Sequence, residues 1–207
     1  MVSMVELFEI VRVLTEEDIK GIGDFLKTNP PGPYPNFDEW LNGTLKEIRD
    51  GKRYSLVVKN DKDAVVGTAI WKKTASGNAE LKTFYIHPQH QKKGIGPKLY
   101  DQTEAECVAE GCRAIHADAF VSNLEITRFF LSYGLEIVAR YDIYGTGEDS
   151  YLFKKELPEI YPGEIYDWEE MGRWVLERKF KFRITDPHPK IGGKTFDGLG
   201  ESHQDRS

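Results

Sequence analysis

The segment Ile86-His87-Pro88-Gln89-His90-Gln91-Lys92-Lys93-Gly94-Ile95-Gly96-Pro97-Lys98-Leu99 constrains this chain more than any other. It joins a strand-like run, Ala79–Ile86, to a long amphipathic helical pattern from about Pro97 to Glu110, with Gly111 as the residue just past the helix end. Its two glycines let the main chain approach a ligand closely. The helix start behind them presents unpaired N–H groups and the positive end of the helix dipole, which together suit a pyrophosphate. Lys92, Lys93 and Lys98 add mobile cations around it.

The elements around this loop fix the fold class. Residues 5–14 read as a strand that stops at Thr15-Glu16-Glu17-Asp18, a helix N-cap with acids in the first turn. The helix from Glu16 to about Leu26 meets the proline-rich breaker Asn29–Pro35, and a second helix follows at 37–49. Arg53–Lys59 and Ala64–Lys73 form a hairpin across Asn60-Asp61-Lys62-Asp63, and Gly77-Asn78 turns the chain into Ala79–Ile86. Beyond the long helix come a strand at 113–119, a helix at 125–133 closed by Gly134, and strands at 135–144 and 150–154. The order β, α, α, β, β, β, α, β, α, β, β is neither a regular βα alternation nor strands alone. It predicts an α/β (α+β) fold: a mixed, mostly antiparallel central sheet of about seven strands flanked by helices. The character changes after Leu157-Pro158. Residues 1–157 are expected to form the domain and 158–207 a C-terminal extension, partly helical at 166–180 and mobile over its last dozen residues.

Composition excludes several classes. With 40% hydrophobic residues in a chain of 207, a sizeable core is available. The formal charge of −6, from 28 Lys+Arg against 34 Asp+Glu, argues against a nucleic-acid coat and leans toward a cationic partner. No apolar run is long enough to span a membrane, and the start MVSMVELFEIVRVL has no basic region or cleavage site, so a cytoplasmic protein is expected. Cys107 and Cys112 lie five apart, without the CxxC or His/Cys spacing of a redox or metal site, and are expected to be reduced and structural; no metal is expected.

The glycine loop is neither a GxxxxGKS/T phosphate loop nor a dinucleotide GxGxxG, since Leu99 stands where the last glycine is required. Gln91–Gly96 in the form QxxGxG, preceded by a strand ending Ile86-His87-Pro88, instead resembles motif A of the GNAT superfamily of acyl-CoA-dependent N-acyltransferases. A second block agrees: Asn123, Phe129-Phe130 and Gly134-Leu135 are similar to that family's NxxAxxFYxxxGF segment, and the likeness spans about 5–157. The resemblance implies an N-acetyltransferase using acetyl-CoA. Gln91, Lys92, Lys93, Gly94, Ile95 and Gly96 would then hold the pyrophosphate, the main chain of Phe84, Tyr85 and Ile86 would pair with the pantetheine arm, and Asn123 and Phe130 would contact the cofactor. Two departures stand out. Pro97 removes one N–H donor, and Phe130 occupies the position of the tyrosine that many members use to protonate the leaving thiolate. Tyr133, one helical turn on, is either a substitute acid or a core aromatic.

Acyl transfer to an amine needs a neutral nucleophile, so a general base is useful. The resemblance points to Glu80, which half-burial would make more basic; a carboxylate at a strand start is equally read as merely solvated. The N–H of Ile86 would meet the oxyanion. His87, His90 and His116 read as surface or packing residues, with His116 a secondary base. On the acceptor side Tyr34, Tyr141 and Tyr144 could clamp a cationic amine, whereas Phe37 and Trp40 read as core. Trp168, Met171 and Val175 recur at helical spacing in the extension and would dock on the domain or on a second copy in a homodimer. The alternative to an enzyme is a catalytically silent acyl-CoA-binding or protein-interaction module, which Phe130 favours and Glu80 opposes.

Overall fold

A computed structural model describes residues 7–32, 36–158 and 179–183. The strands are β1 (Leu7–Arg12), β2 (Tyr54–Asn60), β3 (Val65–Lys73), β4 (Ala79–Ile86), β5 (Ala114–Phe120), β6 (Glu136–Tyr141), β7 (Ser150–Glu156) and β8 (Lys179–Arg183). The helices are α1 (Glu16–Thr28), α2 (Phe37–Arg49), α3 (Ile95–Ala109) and α4 (Leu124–Ser132). The sheet order is β6-β7-β5-β4-β3-β2-β1-β8, antiparallel except for the central pair β4 and β5. The seven expected strands are all present. The eighth comes from the extension: the helix expected over 166–180 gives way at Lys179 to a strand that pairs antiparallel with β1, Leu7 opposite Arg183 and Val11 opposite Lys179. The rest of that helix, with Trp168, Met171 and Val175, lies outside the described residues, as does the expected mobile end.

Two cores sandwich the sheet. On one face α1 and α2 bury Ile19, Ile22, Phe25, Leu26, Leu41 and Ile48 over Val57 and Ile70, with Phe37 and Trp40 packed against them as expected. On the other, Leu99, Tyr100 and Cys107 of α3 and Phe130 of α4 cover Trp71, Ile86, Ile115 and Phe153. The buried side of α3 also carries Thr103, whose hydroxyl donates to the Leu99 carbonyl at 2.7 Å. The C-terminus of α3 closes with two main-chain bonds, Cys112 N–H to Cys107 C=O and Gly111 N–H to Val108 C=O, both 2.9 Å, made possible by Gly111 at φ 68°. This cap folds the two free, buried thiols of Cys107 and Cys112 together.

The start of α1 is fixed as the sequence predicts. The Thr15 hydroxyl oxygen accepts from the Asp18 N–H at 3.1 Å and donates to Asp18 Oδ2 at 2.8 Å. Asp18 also meets Lys59 Nζ at 2.8 Å, with only 7% of its side chain exposed. Burial alone would raise this carboxyl, but the bonds from Lys59 and Thr15 outweigh it and hold it below its ordinary value. A depressed folded pKa contributes stability that is present above the unfolded value near ~4 and lost as pH falls through the folded one. Asp18→Asn is therefore expected to cost about 2 kcal/mol at pH 7, a gap that narrows toward pH 3 in urea melts of the two proteins.

Candidate active site

The site is a parting in the sheet. β4 stays paired to β3 throughout, but it meets β5 only at Ala79↔Ile115 and Glu80↔His116. From Leu81 onward the β5-facing edge of β4 has no strand opposite. His87 N–H donates to Val66 C=O at 2.8 Å. Because antiparallel pairs alternate, Thr83 and Tyr85 then direct their main-chain groups to β3, and Phe84 and Ile86 direct theirs into the gap. Of the three residues expected to meet a pantetheine arm, Phe84 and Ile86 thus present main-chain groups to the gap. Tyr85 is held on β3, and its ring lies 5.7 Å from Phe25 of α1.

Beyond β4 the chain makes one 3-10 turn, Pro88–His90, and enters α3 at Ile95, two residues earlier than its pattern suggests. The early start places Gly96 in the first turn, with Gly94 at φ 74° as the capping residue and Lys92 at φ 58° before it. The N–H groups of Ile95 and Gly96 have no partner in the helix ladder, and the loop that precedes them starts from the end of β4. A methyl at Gly96 would meet Ile86 and Phe129 at an ordinary 3.6 Å, so the protein's own packing does not demand glycine there; at Gly94 the backbone does. Gln91 turns inward, its amide donating to the Ile86 carbonyl at 2.9 Å, which pins the loop to the end of β4. These donors, cations and dipole fit a pyrophosphate.

Asn123 serves the fold directly: its side chain accepts from Ile126 N–H at 3.3 Å and caps α4. Phe130 is 2% exposed, its ring 5.3 Å from Phe153 and 6.2 Å from Phe84, so it belongs to the core under the gap. Tyr133 packs 4.5 Å from Tyr100 and 4.8 Å from Phe129, and its buried hydroxyl has no hydrogen-bond partner among the described residues. Burial, with Asp101 and Glu104 nearby, pushes this phenol far above its ordinary value, so it keeps its proton across the working pH range.

Glu80 departs from expectation. A bulge in β4 sets Thr83 opposite Ile70 and Leu81 opposite Trp71, leaving Lys82 as the extra residue. Lys82 then reaches Glu80 Oε1, while Lys72 Nζ lies 3.2 Å from Oε2. Burial would raise the carboxyl, as the sequence suggests, but the two lysines prevail and hold it below its ordinary value. Glu80 is a weaker base than a lone carboxylate.

The stronger carboxylate is one that sequence reading missed. Asp118 of β5 is half-buried, and Tyr144 OH donates to its Oδ2 at 2.6 Å. Burial pushes Asp118 above its ordinary value, against the pull of Tyr144 and Lys82. Tyr144 lies outside the strand expected over 135–144, because β6 ends at Tyr141 and Asp142 folds the next turn by accepting from Thr146 and Gly147 N–H at 3.1 and 2.8 Å. Tyr141 is 51% exposed on β6, and Tyr34 lies outside the described residues. His116 Nε2 sits 3.4 Å from Asn78 Nδ2, and His87 Nδ1 accepts from Gln89 N–H at 3.2 Å. A groove of about 550 Å³ between α1 and the 88–90 turn, lined by Asp24, Phe25, Asn29 and Gln89, borders this loop but not the Asp118 side of the gap. Among the described residues no three His, Cys, Asp or Glu side chains group to hold a metal, and no helix is long and apolar enough to cross a membrane.

A mixed sheet parted between two parallel strands, with a glycine-capped helix start after the first of them, defines an acyltransferase fold. Residues 19–135 match the family model of the Acetyltransferase (GNAT) family, and the chain belongs to that family. Solved structures agree on the fold. Ard1 from Thermoplasma volcanium is 18% identical with a TM-score of 0.60, over 72% of this chain and 99% of its own. Spermidine N-acetyltransferase from Vibrio cholerae is 19% identical with a TM-score of 0.56, over 72% of this chain and 93% of its own. No curated protein matches the sequence.

Proposed function

We propose that this acyltransferase moves the acetyl group of acetyl-CoA to a primary amine, on a small molecule or on a lysine or N-terminus of a peptide or protein, by direct attack. The observation that carries the reading is the alignment of Phe84 and Ile86 main-chain groups along the gap with the helix start of α3 at its mouth. The pyrophosphate would take the N–H groups of Ile95 and Gly96, with Lys92 and Lys93 as counter-charges, and the pantetheine amides would extend β4 as a strand does. Ile86 N–H would meet the oxyanion, and Tyr133, one helical turn from Phe130, would be the substitute acid for the leaving thiolate, against the burial that makes its phenol a weaker acid. The acidic net charge favours a cationic acceptor beside Tyr141 and Tyr144. A cytoplasmic location and a homodimer belong to the same reading.

Calorimetric titration with acetyl-CoA, followed in the same samples by thiol release against spermidine, lysine peptides and aminoglycosides, tests it. Binding with amine-dependent release is the expected result. Binding without release would favour the silent acyl-CoA-binding module, for which the protonless ring of Phe130 speaks; no binding would overturn both.

A further inference from the structure

We propose that Asp118 is the group that takes the proton from the acceptor amine, with Tyr144 holding its carboxylate in place, a role that presupposes the acetyltransferase activity proposed above. Asp118 lies two residues past His116, the last β5 residue paired to β4, and so stands where the strands begin to part. Ala117 and Ala119 on either side of it are buried in the core under α3 and α4. By strand alternation His116, Asp118 and Phe120 share the opposite face, the one on which α1 and α2 pack over β2 and β3.

The charges around Asp118 differ from those around Glu80. Tyr144 OH donates to its Oδ2 at 2.6 Å, and the Tyr144 ring rests 5.5 Å from Phe120 on the same strand face. Lys82 and Glu80 of β4 face it with opposite charge, His116 is its neighbour on β5, and Leu152 stands opposite on β7. Among the described residues no ion pair is made to Asp118, whereas Glu80 is claimed by both Lys72 and Lys82. Tyr144 donates one hydrogen bond to one carboxylate oxygen and leaves the other, Oδ1, to accept. Burial raises the basicity of this carboxylate, against the pull of Tyr144 and Lys82.

The proton balance is simple. The acceptor arrives as an ammonium and gives one proton to Asp118, which passes it to solvent. The freed nitrogen lone pair forms the C–N bond at the thioester carbon, the C–S bond breaks as the oxyanion collapses, and the amide nitrogen loses a second proton as the thiolate gains one. The sum is ammonium plus acetyl-CoA giving acetamide, CoA thiol and one proton.

The test compares wild type, Asp118→Asn and Tyr144→Phe in amine-dependent CoA release from pH 6 to 10, with acetyl-CoA affinity measured by calorimetry on each. Asp118→Asn is expected to lower kcat roughly 100-fold at pH 7, with a smaller deficit near pH 10 where the amine is already neutral, and to leave acetyl-CoA affinity unchanged. Tyr144→Phe removes a bond that lowers the Asp118 pKa, so the acidic limb of kcat/KM moves to higher pH with only a modest loss at its plateau. A loss that is equal at all pH values, a limb that Tyr144→Phe does not move, or a limb abolished by Glu80→Gln instead would overturn the role of Asp118 while the acetyltransferase stands. Absence of amine-dependent release from wild type would overturn the activity and this role together.

Discussion

Replacing Gly94 with valine is expected to weaken acetyl-CoA binding about 100-fold. The reason is local. Gly94 caps α3 at φ 74°, a conformation that a β-branched residue adopts only with strain, so valine must drag the loop toward negative φ. That rotation re-aims the N–H groups of Ile95 and Gly96. Two hydrogen bonds to a charged phosphate, at about 1.5 kcal/mol each, correspond to the stated loss. Gly96→Ala is the informative companion, because its methyl meets only ordinary contacts at 3.6 Å and the protein should tolerate it. Calorimetry with acetyl-CoA reads both variants. An unchanged affinity in Gly94→Val would remove the phosphate-holding role from this helix start.

Trp71→Ala is expected to destabilise the fold by about 3–5 kcal/mol, the range for deleting a buried large aromatic side chain. Trp71 is wholly buried, its ring stacked 4.1 Å from that of Tyr54 at an interplanar angle of 7°, and it fills the core beneath α3. For a chain of this size the cost corresponds to a fall on the order of 10 °C in Tm by calorimetry. The indole Nε1 is buried and finds no acceptor among the described residues. Trp71→Phe removes that unsatisfied donor along with part of the volume, and the relief of about 1 kcal/mol or more should bring its net cost well under that of alanine. A phenylalanine variant as unstable as the alanine one would mean that the N–H is not left unsatisfied.

Local chemistry made much of this fold legible. Thr15 caps α1 through Asp18 as its position announces, Gly111 takes the positive φ that its place just past α3 requires, and α2 runs over the expected 37–49. The family resemblance pointed to the main chain of Phe84–Ile86, an edge of β4 that has no strand opposite from Leu81 onward. What the sequence hid was pairing across distance. The alternation Lys179-Phe180-Lys181-Phe182-Arg183 is a strand signal, but it follows a helical pattern and its partner, β1, lies at the other end of the chain. The weakening of Glu80 comes from Lys82, two residues on along the same strand face, and from Lys72, its partner across the register on β3, which only the pairing of β3 with β4 reveals. Asp118 had a faint signal, an acid between two alanines in a strand. Its meaning came only from Tyr144, which reaches it from a turn that Asp142 builds.

The pairing of β8 with β1 also sets a timetable for synthesis. β1 is made before β2 and can take it as its inner neighbour as soon as the hairpin emerges, yet its outer edge waits for residues 179–183. During that interval the nascent chain exposes a strand edge of the kind that recruits foreign strands, and the closing contact is among the longest in sequence that the fold contains. A strand made long after β1 is thus the one that covers its outer edge, so the wait for β8 is a period in which a newly made chain needs protection from its neighbours.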